Sequence, residues 1–439
     1  MSKMKRFKIL KIFLIIISSS ALLLAVYFLP PVHSRLSWRL ASLRADIYYL
    51  LNPPGAVAFS PGQQDIMEDL LSQTQTAMAQ QPTATVEPTI APTDLLSPTP
   101  TITQTPLPTT TPLPDVVQLK GILYEEQLFN NCGPANLSMT LSYWGWEGDQ
   151  RVAGAWLKPR QDDRNVMPYE MVEFVRSQTR FNAMMRHGGD MDLLKELIAA
   201  GFPVIVEKGY EVDVHGWMGH YGTLNGYDEH NQFFIMQDSY DNKYDYQLSY
   251  EELKRQWRAF NYIYIVVYPF ERESEVYEIL GPRVDETYSF ELAAEIAREE
   301  KEVLEGRDLF FAWFNYGTSQ RNLLNYYGAA QAFDYAFQEV YENLNLPRIE
   351  LPWRLMWYQT DPYFAYYHTG RYQDVIDLAN QTFSDAAVNA IEESWVWRGR
   401  AKLALGDREG AINDFRAALE WHPGWWVAIN ELNLLGETP

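Results

Sequence analysis

Between residues 82 and 114 the chain places nine prolines and eleven threonines in 33 positions. Proline removes backbone donors and fixes φ, and too few large apolar side chains remain for the run to bury a core of its own. It reads as a solvated, extended linker, about 100 Å long at about 3.1 Å per residue when fully stretched. The 439-residue chain therefore divides into what precedes residue 82 and what folds after residue 114.

At the start, Lys3, Lys5, Arg6, Lys8 and Lys11 precede an uncharged run of 18 residues, 12–29 (IFLIIISSSALLLAVYFL). As a helix this run is roughly 27 Å long, enough to span a bilayer core. A cleaved signal peptide is the alternative, but its apolar stretch is ordinarily shorter, and no small-x-small site precedes Pro30 and Pro31. The expectation is a transmembrane signal anchor at 12–29. The basic residues 1–11 would stay in the cytoplasm and everything after residue 30 would be exported. The chain is thus expected in the cell membrane, single-pass, with its folded domains extracytoplasmic. In the juxtamembrane segment 30–81, residues 34–51 place Leu36, Leu40 and Leu43 at helical spacing beside Arg35, Arg39 and Arg44. This is either a helical continuation of the anchor or a helix lying on anionic headgroups.

The net charge is −21, but residues 1–52 hold eight Lys/Arg against Asp46 alone, leaving −28 on the other 387 residues. Such a surface repels nucleic acid. A single cysteine excludes an internal disulfide.

Residues 116–270 mix two periodicities. Helices are expected at 132–144, 168–178 and 191–200, the last capped by Asp190 and stopped by Gly201. Strands are expected at 203–207, 220–227, 233–237 and 262–268. Helices first and strands later make this an α+β domain. From 271 to 439 the pattern is helical. Trp395, Gly399, Ala411, Phe415, Ala418 and Pro423 resemble the signature of a tetratricopeptide repeat. Trp313, Gly317, Ala329, Phe333 and Ala336 repeat its intervals, and Tyr366, Val375 and Ala379 suit a degenerate middle unit. The alternative is an unrelated helical bundle. The expected architecture is thus an N-terminal transmembrane helix, an α+β domain and an all-α tetratricopeptide-like repeat domain.

The lone cysteine sits in NNCGPANLSM, residues 130–139. Pro134 near a first turn loses no needed hydrogen bond, so Cys132 should lie at a helix N-terminus, where the dipole favours thiolate. A nucleophile also needs a base and a group to orient it. His220 opens a buried strand, and the following strand delivers Asp238; adjacent antiparallel strands could present the two side by side. His215 is the rival base, and Asp238 has the alternative of capping the turn that follows it.

These residues resemble the papain-like cysteine peptidases of the bacteriocin leader-processing type and their stand-alone relatives. The matching pieces are Gln127 before Asn131-Cys132-Gly133-Pro134-Ala135, then Gly201-Phe202-Pro203, Gly219-His220, Gly226-Tyr227-Asp228 and Gln237-Asp238. The resemblance implies that Cys132 attacks a carbonyl carbon, His220 acts as general base and then acid, and Asp238 orients the imidazole. It also implies that Gln127 and the Cys132 backbone amide hold the oxyanion. The leader peptidases are fused to an ATP-driven exporter, whereas no phosphate-binding loop or six-helix membrane domain is recognisable here, so cleavage of double-glycine leaders is not implied.

No cofactor is expected. Asp213, His215 and His220 cluster in sequence, but no HExxH-type pair accompanies them, so no metal set is assigned. The leading expectation is a membrane-anchored extracytoplasmic cysteine peptidase or amidase acting on a peptide or protein through a Cys132 thioester. Two alternatives stand beside it. One is a catalytically silent cell-surface protein whose repeats bind a peptide or protein partner. The other is an acyl or amide transferase with the same catalytic groups. The expected partners include the membrane, through the N-terminal helix, and no nucleic acid.

Overall fold

The computed structural model describes residues 13, 18–20, 25–51, 59, 61–62, 112–212, 216–240 and 243–439. The basic start, most of the run 12–29, most of the Thr/Pro run 82–114 and the rival base His215 lie outside them. Among the described residues no helix is long and apolar enough to cross a membrane. Residues 34–51 fall within one helix, α1 (Pro30–Leu51), on which Leu36, Leu40 and Leu43 are exposed.

The middle region follows in chain order as β1 (Val116–Gln118), α2 (Cys132–Tyr143), α3 (Gln150–Leu157), α4 (Pro168–Gln178), β2 (Phe181–Arg186) and α5 (Met191–Ala199). It continues with β3 (Val204–Val212), β4 (Gly216–Asp228), β5 (Phe233–Asp238), β6 (Lys243–Ser249), α6 (Tyr250–Arg258), β7 (Tyr264–Pro269) and α7 (Glu273–Leu280). All seven strands join one sheet in the order β2-β7-β3-β4-β5-β6, with β1 on the C-terminal part of β4, and every pairing is antiparallel. This is the expected α+β arrangement.

Side-chain alternation decides the layers. Val204, Val206, Leu224, Phe234 and Met236 face one side and pack with Leu193 and Leu197 of α5 and Leu253 and Trp257 of α6. Ile205, Tyr221, Ile265 and Val267 face the other and pack with Leu137 and Leu141 of α2, Leu157 of α3 and Met171 of α4. The caps behave as the sequence requires: Asp190 Oδ1 accepts from Leu193 N at 2.8 Å at the start of α5, and Gly201 leaves it at φ 88°.

Three differences from expectation have physical reasons. β3 runs five residues past Glu207, because charged Glu207 and Lys208 are buried rather than terminal. β6 lies at a sheet edge with most side chains exposed, so it carries little apolar signal. β1 is only three residues long and depends on Gly226, where an added Cβ would lie 2.6 Å from the Val117 carbonyl oxygen.

Beyond α7 the chain is helical: α8 (Glu286–Val303), α9 (Gly306–Asn322), α10 (Tyr326–Asp334), α11 (Asp361–His368), α12 (Tyr372–Ser384), α13 (Glu392–Ala404), α14 (Arg408–Trp421) and α15 (Trp426–Leu434). Two contacts explain the paired small and aromatic positions in the sequence. A Cβ at Gly399 would sit 2.6 Å from the Phe415 ring, and one at Gly317 2.7 Å from the Phe333 ring. In both pairs the glycine lets two successive helices approach.

The helical region shares a core with one end of the sheet domain, where Trp217 at the start of β4, Phe260 and Ile263 pack with Phe311 and Tyr358. Arg354 Nη1 donates to the Trp217 carbonyl at 3.0 Å, and Asn315 Nδ2 to the Arg258 carbonyl at 2.7 Å. The segment preceding the Thr/Pro run also docks here. Phe59 packs against Phe337 and Tyr366, and Gly62 N donates to Asp374 Oδ1 at 2.9 Å. Gly62, on the helices, and Val116, on the sheet, thus belong to one folded body on either side of the Thr/Pro run. That run does not alone set the distance between the body and residue 29.

Candidate active site

Cys132 opens α2. Asn131 occupies the cap position without capping, because its Nδ2 donates to Gln150 Oε1 at 2.8 Å. Gln150 also receives Leu128 N at 2.8 Å and donates to the Glu126 carbonyl, so the start of α3 pins the loop leading to the cysteine. The first-turn amides lack intrahelical acceptors, and their dipole end faces the half-buried sulfur.

His220 lies on β4 and Asp238 ends β5, its direct neighbour in the sheet. His220 Nε2 is 2.6 Å from Asp238 Oδ1, and the ring shares a hydrogen bond with the Cys132 thiol. With Nε2 held by the carboxylate, Nδ1 is the ring nitrogen left for the sulfur. Asp238 Oδ1 also accepts from Tyr240 N at 3.0 Å. Lys208, opposite His220 in the β3–β4 register, places Nζ 3.3 Å from Asp238 Oδ2 and 3.9 Å from the centre of the Tyr210 ring.

The charges of these groups reinforce one another. Burial pushes the Cys132 thiol up, but the His220 hydrogen bond and charge, the Tyr221 backbone amide and Lys158 outweigh it and bring the pKa below the ordinary thiol value. For His220, burial disfavours the imidazolium, but the Asp238 charge and hydrogen bond, with Cys132, raise the pKa. Asp238 is pushed up by burial and held well below the usual carboxylate range by His220 and Lys208. Both shifts run in the direction that favours a thiolate beside an imidazolium, the charge state a cysteine nucleophile would need.

Gln127 is brought to the same place. Its backbone N donates to the Ser239 carbonyl at 2.8 Å, and its side-chain Oε1 accepts from Ser239 Oγ at 2.9 Å. Ser239 Oγ in turn accepts from Asn136 Nδ2 at 3.0 Å, and Asn136 Oδ1 accepts from Thr223 Oγ1 at 3.1 Å. With its oxygen taken up by Ser239, the Gln127 amide keeps Nε2 as its remaining hydrogen-bonding group.

The helical region borders the site. The Tyr358 hydroxyl hydrogen-bonds the Gly219 backbone, and a Cβ on Gly219 would lie 3.0 Å from the Tyr358 ring and 2.6 Å from Phe260 Cζ. Glycine before His220 is thus a requirement of close approach. Glu207, buried near Cys132, is held far above the usual carboxylate range by burial, with the cysteine charge adding to it.

The structure thus brings together Cys132, His220, Asp238 and Gln127. Sequence reading missed Lys208, Ser239, Asn136 and Tyr358. Lys208 had one signal, a lysine inside an apolar strand; Asn136, a polar residue on the apolar helix after the cysteine, had another. Tyr358 had none, since it arrives from the helical region, 139 residues after the Gly219 it meets. No metal-ligating cluster surrounds Cys132 among the described residues. The one such cluster there is Asp163, Glu392 and His422, at the junction with the helices.

Residues 113–265 match the model of the Peptidase_C39 like family. Three solved structures are similar over about a third of this chain. A C39-like peptidase from Bacillus anthracis is 16% identical, covering 35% of this chain and 98% of that one, with a TM-score of 0.29. The double-glycine-motif protease of an AMS/PCAT transporter, in complex with the leader peptide, is 17% identical over 35% and 94%, at 0.27. Xylellain, a cysteine protease from Xylella fastidiosa, is 13% identical over 36% and 87%, at 0.26. At these scores they add no argument to the family match. No curated protein sequence matches the chain.

Proposed function

We propose that this chain, whose residues 113–265 match the Peptidase_C39 like family, is a membrane-anchored extracytoplasmic cysteine peptidase or amidase. One observation carries the catalytic reading: the continuous hydrogen-bonded line from Cys132 through His220 to Asp238, with Gln127 oriented beside it. The Cys132 thiolate adds to an amide carbonyl carbon, and the oxyanion takes hydrogen bonds from Gln127 Nε2 and the Cys132 backbone amide. His220 gives its proton to the departing amine as the C–N bond breaks, leaving a thioester. Water then loses a proton to His220 and attacks the thioester; the acid leaves and the thiolate–imidazolium pair is restored. Asp238 holds the ring throughout.

The site residues come from separate elements, and their roles in this scheme are proposals, as are the domain limits 116–270 and 271–439. The uncharged run 12–29 and its basic flank support the anchor and the outward orientation. The close helix pairs at Gly317–Phe333 and Gly399–Phe415 support the tetratricopeptide-like reading of the helices, which would give a peptide or protein partner a second docking surface.

Hydrolysis of a fluorogenic peptide library by the full chain tests the reading. Wild-type protein should cleave a subset of peptides, and Cys132→Ala should cleave none while keeping its circular dichroism. Equal cleavage by both would sink it.

A further inference from the structure

At the seam between the sheet domain and the helices, three potential ligands from distant parts of the chain converge. Asp163 lies in the loop between α3 and α4, Glu392 is the first residue of α13, and His422 follows α14. Their candidate ligand atoms all lie within 4.8 Å of one another, and the residues are 1%, 2% and 9% exposed.

The hydrogen bonding leaves this cluster incomplete. Asp163 Oδ1 accepts from Asn165 N at 3.3 Å, and Glu392 Oε1 meets His422 Nδ1 at 2.8 Å. Asp163 Oδ2 and Glu392 Oε2 are buried with no protein partner. Leaving such oxygens unpaired in the interior is costly, the more so when they are charged. The Lys158 charge acts on Asp163 and Glu392 through space, but the nearby cations give the two orphaned oxygens no hydrogen bond. Lys158 Nζ donates to the backbone carbonyls of Asn130 and Asp163, and the Arg164 guanidinium donates to the Val388 carbonyl and lies over the Trp357 ring. Two further carboxyls, Glu170 on α4 and Glu393 on α13, lie beside the cluster, and burial pushes both above the usual carboxylate range.

We propose that Asp163, Glu392 and His422 form a divalent metal site of the Zn2+ type that pins the helical region to the sheet domain. Two carboxylates and one imidazole are a donor set suited to Zn2+, with a fourth position left for water. Tetrahedral zinc with ligands at about 2.0–2.1 Å puts them roughly 3.4 Å apart, so small side-chain rotations close the cluster. The ion would also reach the nucleophile's loop. The Asp163 carbonyl accepts from Asn130 Nδ2 at 3.1 Å, and Asn130 stands two residues before Cys132. The ion neutralises the orphaned oxygens and locks in register two regions separated by more than 200 residues.

The test uses the full chain in detergent, without a histidine tag, stripped with EDTA and titrated with ZnCl2. Metal retained after gel filtration is counted, melting temperature is followed, and Co2+ is added separately for its visible d–d absorption. The expected result is one tightly held Zn2+ per chain, a higher melting temperature and a tetrahedral Co2+ spectrum displaced by Zn2+. Asp163→Asn and His422→Gln should each weaken binding at least about 100-fold, since losing even an outer-shell partner costs about 10–100-fold. Exposed His230→Gln should bind like wild type. Equal retention by Asp163→Asn or His422→Gln would mean adventitious binding and overturn the site. So would a wild-type melting temperature indifferent to Zn2+ and EDTA but rising as pH falls, which would mean that shared protons serve the carboxylates. If the variants fail to fold, the wild-type titration and Co2+ spectrum decide alone.

Discussion

Lys208 Nζ lies 3.3 Å from Asp238 Oδ2, so the carboxylate that grips the His220 ring on one oxygen is held by a buried ammonium on the other. Side-chain exposure is at most 3% at all three positions. The antiparallel β3–β4 register, which sets Lys208 opposite His220, makes this clamp. It fixes the carboxylate's orientation and keeps it ionised.

Asp238→Asn should therefore cost both activity and stability. Removing one partner of a buried pair typically costs about 3–5 kcal/mol, and here it strands Lys208. Lys208, its pKa already lowered by burial, recovers part of this by losing its proton. The pH sign follows from the direction of the shift. Asp238 is depressed in the folded state, so its contribution is full above the unfolded aspartate value of about 3.9 and fades as pH falls toward the folded value. Urea unfolding should show the gap between wild type and variant widest above pH 5 and narrowing toward pH 3.

Gln127→Ala should lower kcat by about 10²–10³ with little change in KM, the mark of a lost oxyanion donor. Ser239→Ala should produce a smaller loss of the same kind, because it frees the Gln127 oxygen it now holds. Steady-state kinetics on any cleaved peptide measure both.

Gly219→Ala brings a Cβ within 2.6 Å of Phe260 Cζ. Overpacking of this kind costs about 1–3 kcal/mol, and the strain falls on the backbone that carries His220. Thermal unfolding should show the loss, and adding Phe260→Leu should recover part of it.

Phe59→Ala tests whether the segment before the Thr/Pro run belongs to the folded body. The ring is 8% exposed among Phe337 and Tyr366, and emptying its site should cost about 3 kcal/mol. An unchanged melting temperature would mean that this segment does not dock.

Much of this was legible in the sequence where the pattern was local. α4 spans the expected 168–178, and α5 has its Asp190 cap and Gly201 stop because those residues act on their own helix. Cys132 and Asp238 were readable because each marks the start or end of an element, and His220 by its place beside Gly219 in a strand, although β4 begins four residues before it rather than at it. Lys208 was not, since a charged residue in a strand suggests its end, and only the cross-strand neighbour explains its burial. The Asp163, Glu392 and His422 cluster was invisible for a different reason. Its members meet only when two regions dock, and no spacing encodes that.

The central claim, that Cys132 is a nucleophile paired with His220, is tested most directly by its rate of alkylation with iodoacetamide as pH is varied. With the thiol pKa lowered and the imidazole pKa raised, the thiolate should persist into acid. The wild-type rate should have its midpoint well below the ordinary thiol value of about 8.5, and His220→Ala should return it there. Coincident wild-type and His220→Ala profiles, both with midpoints at or above that value, would contradict the account.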